Sequence, residues 1–129
     1  MLDIHIHTIP HGSQRYNTVG DWVFSDEEKT LTIFVSALSD QKYEFLVALH
    51  ELVEAYLCQC SGIPGEKVDQ FDLGFIDGDE PGDEPDCPYR DQHSIASGIE
   101  RTISGVLGIG WLDYERELID VEVEQGRKE

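Results

Sequence analysis

The stretch FLVALHELVEAYLC, residues 45 to 58, constrains this chain more than any other. Within it only His50, Glu51 and Glu54 carry a charge or an imidazole, and the rest is apolar apart from the half-polar Tyr56. The segment reads as part of a helix from about Gln41 to Cys60, capped by Ser39 or Asp40 and stopped near Gly62, with Pro64 beyond. Leu46, Val47, Leu49, Leu52, Val53, Ala55 and Leu57 surround the trio. A fold that buries this helix must therefore pair three ionisable groups, give them a metal, or leave them a narrow exposed strip.

The spacing favours a shared ligand. Residues i and i+4 of an α-helix lie about 40° apart around the axis and one turn apart along it, so His50 and Glu54 can grip one ion from the same side. Imidazole nitrogen and carboxylate oxygen are both zinc ligands. Glu51 stands about 100° further round, where a carboxylate can take a proton from an attacking water. The plainer alternative is a polar network or the solvent-facing strip of an amphipathic helix.

A third ligand has to come from elsewhere in the chain. His93 opens the next helical segment, past a long loop that can carry it over the first helix. Glu100 is the runner-up, two turns along the same face. Asp69, Asp72 and Asp91 rank lower, because loops are rich in solvated acids. For His93 by itself, helix capping or surface exposure explains the residue equally well.

The flanking segments predict an α+β fold, a small N-terminal sheet of about three strands packed against two main helices. LDIHIHTI alternates at period two, with Leu2, Ile4 and Ile6 on one face and Asp3, His5 and His7 on the other, as in a half-exposed strand. YNTVGDWVFS is a second strand, in which Gly20 suggests a bulge or bend, and TLTIFVSA reads as central. QHSIASGIERTISGVL is the second helix, its apolar stripe formed by Ile95, Ile99, Ile103 and Val106 or Leu107. His93, Ser97, Glu100 and Ser104 share a different face. GWLDYERELIDVEVE fits helix or strand, and EQGRKE should fray. The acidic run DGDEPGDEPD reads as a mobile loop at about 76–88.

Other clusters carry less. Cys58, Cys60, Cys87 and His93 are suitable zinc ligand types, but C-x-C on a helix points its thiols about 200° apart. His5 and His7, with His11 nearby, resemble the H-x-H strand of the amidohydrolase and PHP phosphoesterase families. Those are large barrels with further His and Asp sites that this chain is too short to supply. The acidic loop is not an EF-hand, since Pro81 falls where a ligand belongs. No phosphate-binding glycine loop and no G-x-S-x-G is present.

Length and charge narrow the class. A chain of 129 residues supports one domain, taken as 1–129. With 27 Asp plus Glu against 9 Lys plus Arg, its formal charge of −18 repels nucleic acid and anionic membrane, so neither is expected as a direct partner. An acidic protein that imitates DNA toward a basic partner stays open. MLDIHIHTIP has no basic region before an apolar run, and no apolar stretch is long enough to span a membrane. Three cysteines argue against a complete disulfide framework. A cytoplasmic protein is the expectation.

Residues 19 to 60 together resemble a minimal zincin-like domain, in which a few strands precede the helix bearing H-E-x-x-H and a downstream element adds a ligand. TLTIFVSA feeding YEFLVALHELVEAYL follows that order. The resemblance implies zinc ligands at His50 and, by position, Glu54, and a general base at Glu51. The departure is Glu54, where the box has His. A carboxylate adds negative charge and makes bound zinc a poorer Lewis acid, which touches peptidase activity more than metal binding. Short acidic chains of this kind are also similar in style to small phage and prophage proteins. The expectation is a zinc-dependent hydrolase of unknown substrate, with Tyr89 a possible donor to an oxyanion. The alternatives are a non-enzymatic acidic inhibitor of a basic partner and an inactive scaffold that keeps its metal.

Overall fold

The computed structural model describes residues 1–73 and 81–128. Three strands come first: β1 (Asp3–Ile9), β2 (Gly20–Ser25) and β3 (Thr30–Ser36). They form one mixed sheet in the order β1-β3-β2, with β1 parallel and β2 antiparallel to β3. Four helices follow: α1 (Gln41–Cys60), α2 (Gly65–Asp72), α3 (Arg90–Val106) and α4 (Trp111–Lys128). This is the expected α+β architecture with two more helices than the two main ones anticipated.

The central strand is β3, as its β-branched, apolar composition predicts. Leu31, Ile33 and Val35 alternate onto one face, are fully or nearly fully buried, and pack toward α1. Trp22 and Phe24 of β2 join that face opposite Ile33 and Leu31. The first strand differs from expectation. It is exposed on both faces rather than on one, because α1 covers β2 and β3 and leaves the β1 edge bare.

The caps of α1 follow from its sequence. The Asp40 side chain accepts from the Lys42 backbone N–H at the N-terminus. At the other end Gly62 takes φ +70°, its N–H bonds the Gln59 carbonyl, and that of Ile63 bonds Cys58. A side chain at Gly62 would be strained, which is why the helix stops there. Helix α3 ends in the same way, with Gly108 at φ +71°. The last helix continues to Lys128, so the segment expected to fray is helical as far as it is described, and Glu129 lies outside the described residues. It also resolves GWLDYERELIDVEVE as helix from Trp111 onward.

Helix α3 is rotated from its predicted orientation: Ile103 and Leu107 of the expected stripe pack against the core, and the rest of the stripe does not. Ile95 is 52% exposed, Ile99 38% and Val106 79%, whereas His93, Ala96, Glu100 and Ser104 are buried against the rest of the protein. The cause lies on the facing helix: α1 presents His50 and Glu54, which need polar partners more than the isoleucines need burial. Unpaired buried charges cost several kcal/mol, and an exposed isoleucine forgoes about 1.5–3 kcal/mol.

Part of the acidic segment expected at 76–88 lies outside the described residues. Within it, Pro81–Asp83 form a 3₁₀ turn whose Gly82 is buried, and Cys87 is buried as well.

Candidate metal centre

Helices α1 and α3 run antiparallel, so that His93 meets Glu54 and Glu100 meets His50. One carboxylate oxygen, Glu54 Oε2, lies 3.1 Å from His50 Nε2 and 2.9 Å from His93 Nδ1. The three ligand atoms stand within 4.8 Å of one another on side chains that are almost wholly buried. Trp22 Nε1 from β2 donates to the other oxygen of Glu54 at 3.3 Å, which fixes the plane of that carboxylate.

The far side of His50 is equally determined. Its Nδ1 lies 2.7 Å from Glu100 Oε1, and the other oxygen of Glu100 accepts from the Tyr114 hydroxyl at 2.6 Å. A proton on Nδ1 is thereby held toward Glu100, which leaves Nε2 to face Glu54. Both nitrogens of one imidazole thus face carboxylates. Without a cation this arrangement demands an imidazolium. Burial pushes His50 down, but the hydrogen bonds to Glu100 and Glu54 outweigh it and hold the group well above its ordinary value. Burial likewise pushes Glu54 up, and the two histidines overcome it and hold the carboxyl below its usual range. A proton on Nε2 occupies the place that a metal would take.

Glu51 is not part of this triad. It lines the same cleft, of about 580 Å³, and its side chain lies against β2 at Gly20. A Cβ on Gly20 would fall 2.6 Å from Glu51 Cγ and Oε1, so the glycine is what admits the carboxylate there. The sequence suggested a bulge or bend at Gly20; the residue instead pairs in regular register with Val35, and the close approach of Glu51 is what calls for glycine. Gly82 plays the same part for His93. Its backbone lies so close that any Cβ would collide with the imidazole ring. Nothing in the sequence separates Gly82 from the other glycines of an acidic loop. His93 also has Ser97 Oγ at 3.4 Å and Asp83 Oδ1 at 3.5 Å from Nε2.

The remaining candidates fall elsewhere. Glu100 bonds a ligand rather than joining the triad, and Asp91 is exposed. Asp69 accepts from Arg15 at 3.2 Å, and Asp72 accepts from the Tyr89 hydroxyl. Burial and the neighbouring Asp72 push the Tyr89 phenol far above its ordinary range, so Tyr89 is tied to Asp72 rather than offered to an oxyanion. Cys58 is buried in the core, where burial and the proximity of Glu54 push its thiol up to about 12, unsuited to ligation as thiolate. Cys60 is exposed and Cys87 is buried. Among the described residues, no grouping within reach of one ion includes a cysteine. His5 and His7 stack parallel on the face of β1 away from the helices, with their ring centroids 6.3 Å apart. His11 instead bridges Ser36 and Asn17 at 2.7 Å each.

No family model matches this chain, and neither a curated protein nor a solved structure matches it. Among the described residues no helix is long and apolar enough to cross a membrane.

Proposed function

We propose that this protein is a zincin-like, metal-dependent hydrolase that holds one divalent ion, zinc first, through His50, Glu54 and His93. The observation that carries the reading is the convergence of three buried ligand atoms within 4.8 Å. The donor set fits: two imidazole nitrogens and one carboxylate oxygen are ordinary zinc ligands. Ligand atoms about 2.1 Å from a tetrahedral ion stand roughly 3.4 Å apart, so the contacts around Glu54 Oε2 need to open by only a few tenths of an ångström. The order of elements supports the zincin-like assignment, with strands preceding the H-E-x-x-E helix and a downstream helix supplying His93.

A bound divalent ion supplies Lewis acidity in the cleft. The chain's own residues do the rest. Glu100, itself held by Tyr114, keeps the His50 proton on Nδ1, the arrangement by which a carboxylate orients a ligating imidazole. Trp22 fixes Glu54. Glu51, beside Gly20 in the same cleft, accepts a proton from the attacking water. Trp111 and Tyr114 give the cleft an aromatic wall, and its size suits a small molecule or a short chain segment.

The acidic-inhibitor reading receives less support. A DNA mimic needs its acids spread outward over one face. Here seven of the 27 acids, Asp21, Glu44, Glu54, Asp72, Glu100, Glu117 and Glu122, accept hydrogen bonds from within the fold, and the exposed ones are spread from Asp3 to Glu124 along the chain.

The test is metal content by elemental mass spectrometry on untagged protein. Near-stoichiometric zinc in the wild type, lost in His50→Ala and retained in Glu51→Gln, is the expected result. Loss of turnover in Glu51→Gln then separates an enzyme from an inactive metal-bearing scaffold. A folded wild type that contains no metal and cannot be loaded with zinc refutes the proposal.

A further inference from the structure

The β1 edge has a composition unlike the rest of the surface. Only one of the 27 acids, Asp3, falls in residues 1–20, and three of the five histidines fall there too. The strand is exposed along nearly its whole length, with Ile4 49% and Ile6 48% exposed. In the sheet order β1-β3-β2 its outer side faces no other strand among the described residues. A bare strand edge with half-exposed isoleucines is a template for pairing.

The hydrogen bonding shows which groups that edge offers. Asp3 N–H bonds the Lys29 carbonyl, and the Ile9 carbonyl accepts from Ala37 N–H. The odd-numbered residues of β1 therefore direct their main-chain groups at β3. Those of Ile4, Ile6 and Thr8 point outward, since alternate residues of a strand face opposite sides.

We infer that this edge pairs antiparallel with β1 of a second copy, about a two-fold axis at His5, to give one continuous sheet through both protomers. In this register each Ile4 lies opposite Ile6 of the partner subunit, and the pair exchanges both of its main-chain hydrogen bonds. The four isoleucines then cover one another on the helix side of the sheet. On the opposite side Asp3 comes opposite His7 of the partner subunit, twice by symmetry, at the closely spaced kind of position where side chains touch. An imidazole N–H meets a carboxylate there. The pairing is self-complementary, as a two-fold interface must be.

A register shifted outward by one residue on each strand places His5 opposite His7 and Asp3 opposite Ile9, which forgoes both carboxylate contacts. Charge explains why a second copy would meet at this edge. A chain of formal charge −18 repels its own kind, and β1 with a single acid is where that repulsion is weakest. Pairing through one strand is smaller than the roughly 1,200–2,000 Å² of a standard interface, in the size range of weak, transient contacts, so the equilibrium is sought at micromolar concentration and above.

Sedimentation of the full chain from micromolar to millimolar concentration, in moderate salt, tests the inference. A monomer–dimer equilibrium is expected. Ile6→Lys should weaken it by about tenfold or more through a charge on the edge. Asp3→His and His7→Asp should each weaken it about tenfold, and the double swap should return to within about threefold of wild type. Hydrogen exchange gives a second readout that does not depend on variants. The Ile4 and Ile6 amides should gain protection as concentration rises, while the His5 and His7 amides, already bonded to β3, should not. A monomer at every concentration overturns the inference and leaves the edge to a different chain. A dimer indifferent to Ile6→Lys, or a double swap that stays weakened, overturns it too.

Discussion

Glu100→Gln isolates the claim that a charge behind His50 sets the strength of the metal site. Glu100 is 6% exposed and joins His50 Nδ1 at 2.7 Å to the Tyr114 hydroxyl at 2.6 Å. Glutamine has the same shape. Its carbonyl can accept from Nδ1 and its amide can donate to the Tyr114 oxygen, so the shape is kept, while the charge is lost and the Tyr114 hydroxyl gives up its carboxylate acceptor. A hydrogen bond to a charged group contributes about 1.5–3 kcal/mol against about 0.5–1.5 kcal/mol for a neutral one. The difference of about 1.4 kcal/mol corresponds to tenfold in zinc affinity, within the 10–100-fold seen when the partner of a ligating histidine is changed. Competition with a chelator of known affinity reads this directly. The metal-free protein gives a second signature. The folded-state pKa of His50 is raised, so its stabilisation is fully present below the unfolded value of 6.5 and is lost as pH rises through the folded value. Metal-free Glu100→Gln should therefore be destabilised most near pH 6 and least at alkaline pH. A folded variant with unchanged zinc affinity and a stability deficit flat in pH refutes the reasoning.

Three other outcomes follow from the same geometry. Gly82→Ala forces a Cβ into the His93 ring, so it should cost about 1–3 kcal/mol in thermal unfolding and weaken zinc binding, whereas Gly98→Ala, with open space around it, should do neither. Zinc affinity should rise with pH, because the raised pKa of His50 makes the ion displace a proton; calorimetry in buffers of different ionisation enthalpy counts the proton released. Ile95→Lys should change stability by no more than about 0.5 kcal/mol in denaturant unfolding, while Ala96→Lys, fully buried between α3 and its neighbours, should unfold the protein or cost several kcal/mol.

Local signals were strong in this sequence where local physics decides. The bounds of α1 could be read because Asp40 offers a cap and Gly62 a left-handed stop, and both act within a turn of the helix end. β3 could be read as central because its apolar, β-branched residues need burial whatever their neighbours are. His50 and Glu54 were legible as a pair because one helical turn alone sets their separation.

Contacts between distant segments were not legible in this way. His93 lies 39 residues from Glu54, and only the antiparallel packing of α3 on α1 brings its Nδ1 within 2.9 Å. The hydrophobic stripe of α3 suggested an inward face of Ile95, Ile99 and Ile103, but only Ile103 of these packs on the core, and the buried face is turned toward His93, Ala96, Glu100 and Ser104. Periodicity measures how apolar each side is, but the polar demand of the partner surface belongs to α1, not to α3. The same holds for Glu100, by sequence an alternative ligand, which is held by Tyr114 from a helix whose sequence fits strand equally well. Gly20 and Gly82 matter for what presses against them, and that neighbour comes from another element in each case. The sequence by itself determined which side chains could ligate and the helix that presents two of them. Tertiary packing decided which third group completes the set and which carboxylate stands behind it, because those positions depend on how separate elements meet.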